Sequence, residues 1–179
     1  MADDSPAIAL SKAELRAVAA YAVACALPAL VIFEREQPGD PRPRAALDAA
    51  QGFAAGGERT KAMRDSAWAA HRAAQEARDT GQAAASAAAR AAGSAVGAAF
   101  LHPLAKATQV KHILDSAASA ALAFELSAGG DPQVGAGHLE QARDHAGPVV
   151  VDVLRRYPPA PPGGGRTGEL MRALDSSLR

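Results

Sequence analysis

The chain has one cysteine, one tryptophan and no excess of either charge. A lone Cys25 excludes an internal disulfide framework and suits a reducing cytoplasm. It sits in an apolar helical run, where a buried, inert thiol is expected in preference to a nucleophile. Aromatic residues make up 4% of the chain, and more than half of the 49% hydrophobic fraction is alanine. Alanine buries little area per residue, so such a core depends on close approach between helices. The β-branched run Val149-Val150-Val151 is too short to build a sheet. Nineteen basic residues against nineteen acidic ones remove the basic excess usual in nucleic-acid binders. Lysine occurs only at Lys12, Lys61, Lys106 and Lys111, while Arg42, Arg44, Arg59, Lys61, Arg64 and Arg72 crowd one third of the sequence as a local basic patch.

Chemistry-bearing motifs are also missing. There is no HExxH, CxxC or DxDxDG, and no GxGxxG, GxxxxGK[ST] or GxSxG, so neither a metal nor a cofactor is expected. "PPGGGRTGE" resembles a phosphate loop only superficially, since it lacks the lysine and a preceding strand. The run "AVAAYAVACALPALVIF" (17–33) is slightly short for a span of roughly 20 residues, is diluted by alanine and carries Pro28. The residues before it lack the basic start of a signal peptide. A core helix is expected there, with no membrane partner.

What is present is helical punctuation. Ser11-Lys12-Ala13-Glu14 is a capping-box pattern, which predicts a first helix running to about Gln37 with a bend near Pro28. Asp40-Pro41 opens a second helix that stops at Gly56-Gly57. Further helices are predicted over 59–79, 82–101, from Pro103 to Gly129-Gly130, from Asp131-Pro132 onward, and from Pro148 to about Tyr157. "PPAPPGGGRTG" (158–168) reads as a linker to "ELMRALDSSLR", whose Leu170, Met171, Leu174 and Leu178 form an apolar stripe expected to dock back on the rest. The expected fold is all-α: an antiparallel bundle of about six to seven helices over 1–157, then a linker and short tail helix over 158–179. Gly93 and Gly97 are four apart, which predicts that a second backbone approaches that helix face closely.

Two polar stripes stand out. On 59–79, Met63, Ala67, Ala70, Ala74 and Ala77 make a packing face, while Arg64, Trp68, His71, Gln75 and Arg78 recur on another. This second stripe is either a solvated face or a recognition surface, because Trp and Arg dominate interface energetics. No carboxylate at helical spacing orients His71 for catalysis. In "HPLAKATQVKHIL" (102–114), His102 and His112 are ten residues apart, about 15 Å along a helix, so they cannot share one metal ion from that helix. Lys106 and Gln109 fall on the side of His102, and Asp115 falls with His112. His138 and His145, seven apart, are likewise too far separated to ligate together.

The segments "RPRAALDAAQGFAAGG", "AWAAHRAAQEA" and "AAARAAGSAVGAAFLHPLAKATQVKHILDSAASAALAFEL" resemble the bacterial immunity-protein-five-like family, small all-helical proteins assigned to polymorphic toxin systems. The resemblance spans residues 10–130. Its most specific matches are Arg42-Pro43, Ala70-His71, Ala92-Gly93, His102 and Lys111-His112. The family pattern implies a histidine after Ala92-Gly93, where this chain has Ser94. It also implies a cytoplasmic antidote that binds and neutralises a toxin, which calls for a preformed surface complementary in charge.

Two readings follow. In the first, the protein is a non-enzymatic cytoplasmic binding protein of the immunity type. Its partner is a protein, and its binding residues are Arg42, Arg64, Trp68, His71, Gln75, His102, Lys106, Gln109 and His112. In the second, it is a small-molecule-binding or enzymatic bundle in which His71, His102 and His112 converge on an interhelical pocket. A dimer built on the small-residue faces is a weaker third.

Overall fold

Ser11 opens the first helix as its sequence predicts. Its Oγ accepts from the Glu14 N–H at 3.1 Å, and Glu14 Oε2 accepts from the Ser11 N–H at 2.7 Å. Such a closed capping box contributes about 1 kcal/mol. The structure, a computed structural model, describes residues 6–179, so residues 1–5, part of the stretch weighed as a signal peptide, lie outside it.

From that cap, α1 covers Lys12–Ala26, passes through a 3₁₀ turn at Leu27–Ala29 and resumes as α2, Leu30–Glu36. Pro28 causes the break, because it brings no N–H to the ladder. Lys12–Glu36 is long and apolar enough to cross a membrane by length and composition, yet 61% of its apolar window is buried inside the fold. Next, α3 runs Arg42–Ala54, one residue later than expected, with Asp40 Oδ1 accepting from the Arg42 N–H at 3.0 Å. α4, Lys61–Asp79, is capped by Thr60, whose Oγ1 accepts from Met63 N–H at 3.1 Å. α5 covers Ala83–Ala98, α6 Val110–Ser127, α7 Pro132–His145 (capped by Asp131), α8 Pro148–Arg155 and α9 Gly165–Leu178. The chain is 75% helical, with no strand among the described residues.

α5 is the packing centre, lying most extensively against α6 and α4. Its buried side consists of eight alanines with Gly93 and Val96. Alanine brings helices close but contributes few carbons, so hydroxyl–carbonyl ties matter in proportion. Ser116 Oγ on α6 lies 2.9 Å from both the Ala22 and Ala91 carbonyls, linking α6 to α1 and α5. Ser86 Oγ on α5 donates to the Ala74 carbonyl of α4 at 2.7 Å. The largest fully buried side chains include Phe33, Phe53, Ile113, Leu114 and Leu154.

One expected helix begins in the wrong place. Pro103 does not open α6; the helix starts seven residues later at Val110, after a 3₁₀ turn at Ala107–Gln109. Residues 102–106 instead pair with the start of the described chain. Ile8 N–H donates to the Pro103 carbonyl and Ala105 N–H to the Pro6 carbonyl, both at 3.0 Å. Those bonds use the backbone groups a helix would need, and a residue before proline is biased toward extended backbone. The helical angle and rise between His102 and His112 therefore do not apply.

The C-terminal stripe docks. Leu170, Met171, Leu174 and Leu178 are buried as α9 packs on α6 and α7. Gly163, Gly164 and Gly165 have φ of +84°, +79° and +56°, and this left-handed turn lets the chain reverse into α9. Arg166 clamps the buried Glu125 carboxylate through two nitrogens, each at 2.9 Å.

Candidate functional site

α4, α5 and α6 line an open cleft of about 560 Å³, far larger than two small cavities of about 20 and 40 Å³ elsewhere in the fold. α4 contributes Arg64, Trp68, His71, Gln75 and Arg78, which is the whole polar stripe read from its sequence. Met63, Ala70, Ala73, Ala74 and Ala77 bury the other side of that helix, and this fixes the stripe's direction. α5 contributes Ser86, Arg90, Gly93, Ser94 and Gly97, and α6 contributes Lys111, His112 and Asp115. Phe100 closes one end.

Gly93 and Gly97 were expected to admit a second backbone. They admit two imidazoles instead. A Cβ on Gly93 would lie 3.0–3.2 Å from three atoms of the His71 ring, and one on Gly97 would lie 3.4 Å from His112 Nδ1. His112 Nδ1–H donates to the Gly97 carbonyl at 2.9 Å. In the neutral ring this leaves Nε2 as an acceptor. The single Trp68 is 66% exposed and meets His71 edge to face, with ring centroids 6.3 Å apart.

The floor carries one carboxylate. Asp115 is buried and accepts from Ser94 Oγ at 2.6 Å and from Arg90 at 3.1 and 3.3 Å. Ser94, standing where the resemblance implied a histidine, thus spends its hydroxyl on Asp115. Burial holds the His71 imidazole below its ordinary value, helped by the positive Arg90 and opposed by Asp115. Burial does the same to His112, against its bond to the Gly97 carbonyl and the pull of Asp115. Both rings are therefore neutral at pH 7.

Charge at the cleft is uncompensated. Most basic side chains elsewhere pair with carboxylates, as in Lys12–Glu58, Arg44–Glu34, Arg156–Glu14 and Arg179–Asp175. Arg64, Arg78 and Lys111 make no ion pair among the described residues. Arg64 lies over the Phe100 ring at 4.9 Å, and Arg78 bonds only the Gln75 side chain. Within a chain of zero net charge, four cations line this cleft against the one carboxylate of Asp115.

The structure separates the residues singled out in the sequence. Arg64, Trp68, His71, Gln75 and His112 converge on the cleft; Arg42, His102, Lys106 and Gln109 do not line it. Arg42 is held between Asp40 and Glu76. The Gln109 side chain accepts from the His102 N–H at 2.9 Å, and the His102 carbonyl accepts from Tyr157 Oη at 2.9 Å, so both brace the 101–109 segment. Sequence reasoning put Arg78 on the α4 stripe without counting it among the binding residues, and did not place Arg90, Ser94 or Lys111 at the cleft. The only signal for Arg90 and Ser94 was their i, i+4 spacing beside Gly93 and Gly97. Among the described residues no group of three or more His, Cys, Asp or Glu could hold a metal ion. His138 instead stacks on Phe124, with centroids 3.7 Å apart.

Arg90, Lys111 and Asp115 also form one wall of a small cavity of about 40 Å³. Its other wall is the proline–glycine strap over 161–164 with Thr167, Gly168 and Met171 of α9. The C-terminal segment thereby supports the cleft from behind.

No curated protein and no solved structure matches the chain. The family model described as "Imm-5 like putative immunity protein" matches residues 9–130, which include every residue lining the cleft, and the chain belongs to that family.

Proposed function

We propose that the protein is a non-enzymatic cytoplasmic immunity protein: an antiparallel helical bundle that neutralises a toxin by presenting the outer rim of the α4–α5–α6 cleft to it. Membership of the family supports the class of function. The observation that supports this surface is Trp68, a large apolar side chain left 66% exposed beside Arg64. Tryptophan and arginine supply most of the binding energy at protein interfaces, and a cationic rim selects an acidic face on the partner. Arg64, Trp68 and Gln75 are the contacts expected to matter most, with His71 holding the tryptophan ring from below.

The test uses the toxin encoded beside the gene. Co-expression with the wild-type chain rescues growth and yields a stoichiometric complex. Trp68→Ala with Arg64→Gln lowers affinity by about a hundredfold or more, as loss of an interface anchor does, with an unchanged melting temperature. Unimpaired rescue by that variant overturns the assignment of the surface. Failure of the wild-type chain to bind that toxin overturns the function.

A further inference from the structure

The rim accounts for Trp68 but not for the cavity beneath it. A volume of about 560 Å³ exceeds what one inserted acidic side chain needs and falls in the range of whole small-molecule sites. Its polar groups are graded along its depth. Arg64, Arg78 and Lys111 carry positive charge without a carboxylate partner among the described residues. The floor offers neutral imidazoles at His71 and His112, and the one carboxylate, Asp115, already holds Arg90 and Ser94. Negative charge is therefore favoured along the mouth, where the three cations are exposed, over the floor, where the one carboxylate is buried. The interior suits a flat, neutral body that lies against imidazole and aromatic edges and offers polar hydrogens to His112 Nε2. Gly93 and Gly97 keep this interior open, since a side chain at Gly93 would press on the His71 ring.

We infer that the cleft is a binding site for a small organic anion: a planar ring bearing a phosphate or carboxylate, with the ring seated against His71 and His112, the anionic group held by Lys111 beside His112, and the field of Arg64 and Arg78, at opposite ends of the α4 wall, drawing the anion in. The site does not depend on the toxin-binding reading, because a free small molecule can occupy the cavity whether or not a protein partner covers the rim.

Trp68, the only tryptophan, reports occupancy through its emission, and calorimetry gives affinity. The probes are adenosine 5′-monophosphate and benzoate as ring anions, adenosine as a neutral ring and inorganic phosphate as an anion without a ring. The expected result is saturable 1:1 binding of at least one ring anion, at least about tenfold tighter than adenosine or phosphate and weakened by 0.3 M salt. Lys111→Ala with Arg78→Gln should reduce that affinity by about tenfold or more while leaving the melting temperature unchanged. Arg143→Ala, on α7 and away from the cleft, should bind as wild type. Absence of binding by both ring anions at millimolar concentration overturns the inference. So does equal affinity for adenosine, or binding that survives loss of Lys111 and Arg78. The Lys111→Ala/Arg78→Gln variant keeps Trp68 and Arg64, so loss of ring-anion binding with toxin capture retained, or failure of the wild-type chain to capture the toxin with ring anions still bound, separates the two readings.

Discussion

The His71 imidazole lies 3.0 Å from where a Cβ on Gly93 would stand, and the hydrogen at that position is what lets the ring lie against α5. One turn along, Gly97 gives His112 more room, at 3.4 Å. The two glycines therefore respond differently to a methyl group. Gly97→Ala places the new carbon at ordinary contact distance and should gain about 0.5 kcal/mol or more in urea unfolding, from helix propensity and a less flexible unfolded chain. Gly93→Ala displaces the His71 ring toward the cleft mouth and should forfeit that gain. An equal gain for both variants in urea titrations would contradict the seating of His71.

The buried imidazoles make stability depend on pH in a defined direction. His71, His112 and His138 are all held below their ordinary value by burial. The unfolded chain then binds protons at a pH where the folded chain does not, so protonation favours unfolding. Stability should be flat above the unfolded histidine pKa of about 6.5 and fall as pH drops below it. His71→Gln with His112→Gln should flatten that slope, measured as urea midpoints from pH 7.5 to 5.

A second window lies at lower pH. Hydrogen bonds from Arg156 and from the Ser11 N–H hold the Glu14 carboxyl down at about 2. A depressed carboxyl contributes stability that is present above its unfolded pKa and is lost as pH falls toward the folded one. Glu14→Gln should remove the part of the acid transition between about pH 4.5 and 2 and cost on the order of 1 kcal/mol at neutral pH, through the weakened cap.

α9 is held by Glu125, whose buried carboxylate meets Arg166. Arg166→Ala leaves that charge unpaired. Because the arginine is 40% exposed and water can reach the pair, the cost is about 1–2 kcal/mol, below that of a fully buried pair. Gly168→Ala brings a methyl group onto the Gly163 carbonyl and should loosen the same helix start. Both variants should speed hydrogen exchange in α9 before α5, and uniform acceleration throughout the chain would refute local release.

The cationic cleft should also show in Trp68 alone. Iodide should quench its emission several-fold more strongly than caesium at low salt, and the difference should shrink as ionic strength screens the field. Equal quenching by the two ions would mean that the cations do not face the indole.

Much of the secondary structure is legible in the sequence because it rests on local chemistry. Ser11 with Glu14, Asp131 with Pro132, and the interrupted ladder at Pro28 each act within one turn of the chain. The stripe Arg64–Trp68–His71–Gln75–Arg78 is equally local, since helical spacing alone puts those residues on one face. Pro103 misled for a non-local reason: its carbonyl is taken by Ile8, ninety-five positions earlier, and no nearby residue signals that pairing. His102 and Gln109 were drawn toward a site by their chemistry and turn out to brace the segment that this pairing creates.

By itself, then, the sequence determined the all-helical class, the positions of most caps and the face of α4 that carries Trp68, because periodicity and capping are properties of neighbours along the chain. Only the tertiary structure decided what that face looks onto. Along α5 the spacing of Gly93 and Gly97 announced a close approach but not what would approach, and Arg90, Ser94 and Asp115 named no partner, until packing set them opposite His71 and His112. Composition reported a charge balance of zero, whereas the fold pairs Glu14, Glu58 and Glu125 with basic side chains far away in sequence and leaves Arg64, Arg78 and Lys111, around one cavity, without an ion pair among the described residues. Charge compensation acts through space, and a net count along the chain cannot report where it fails.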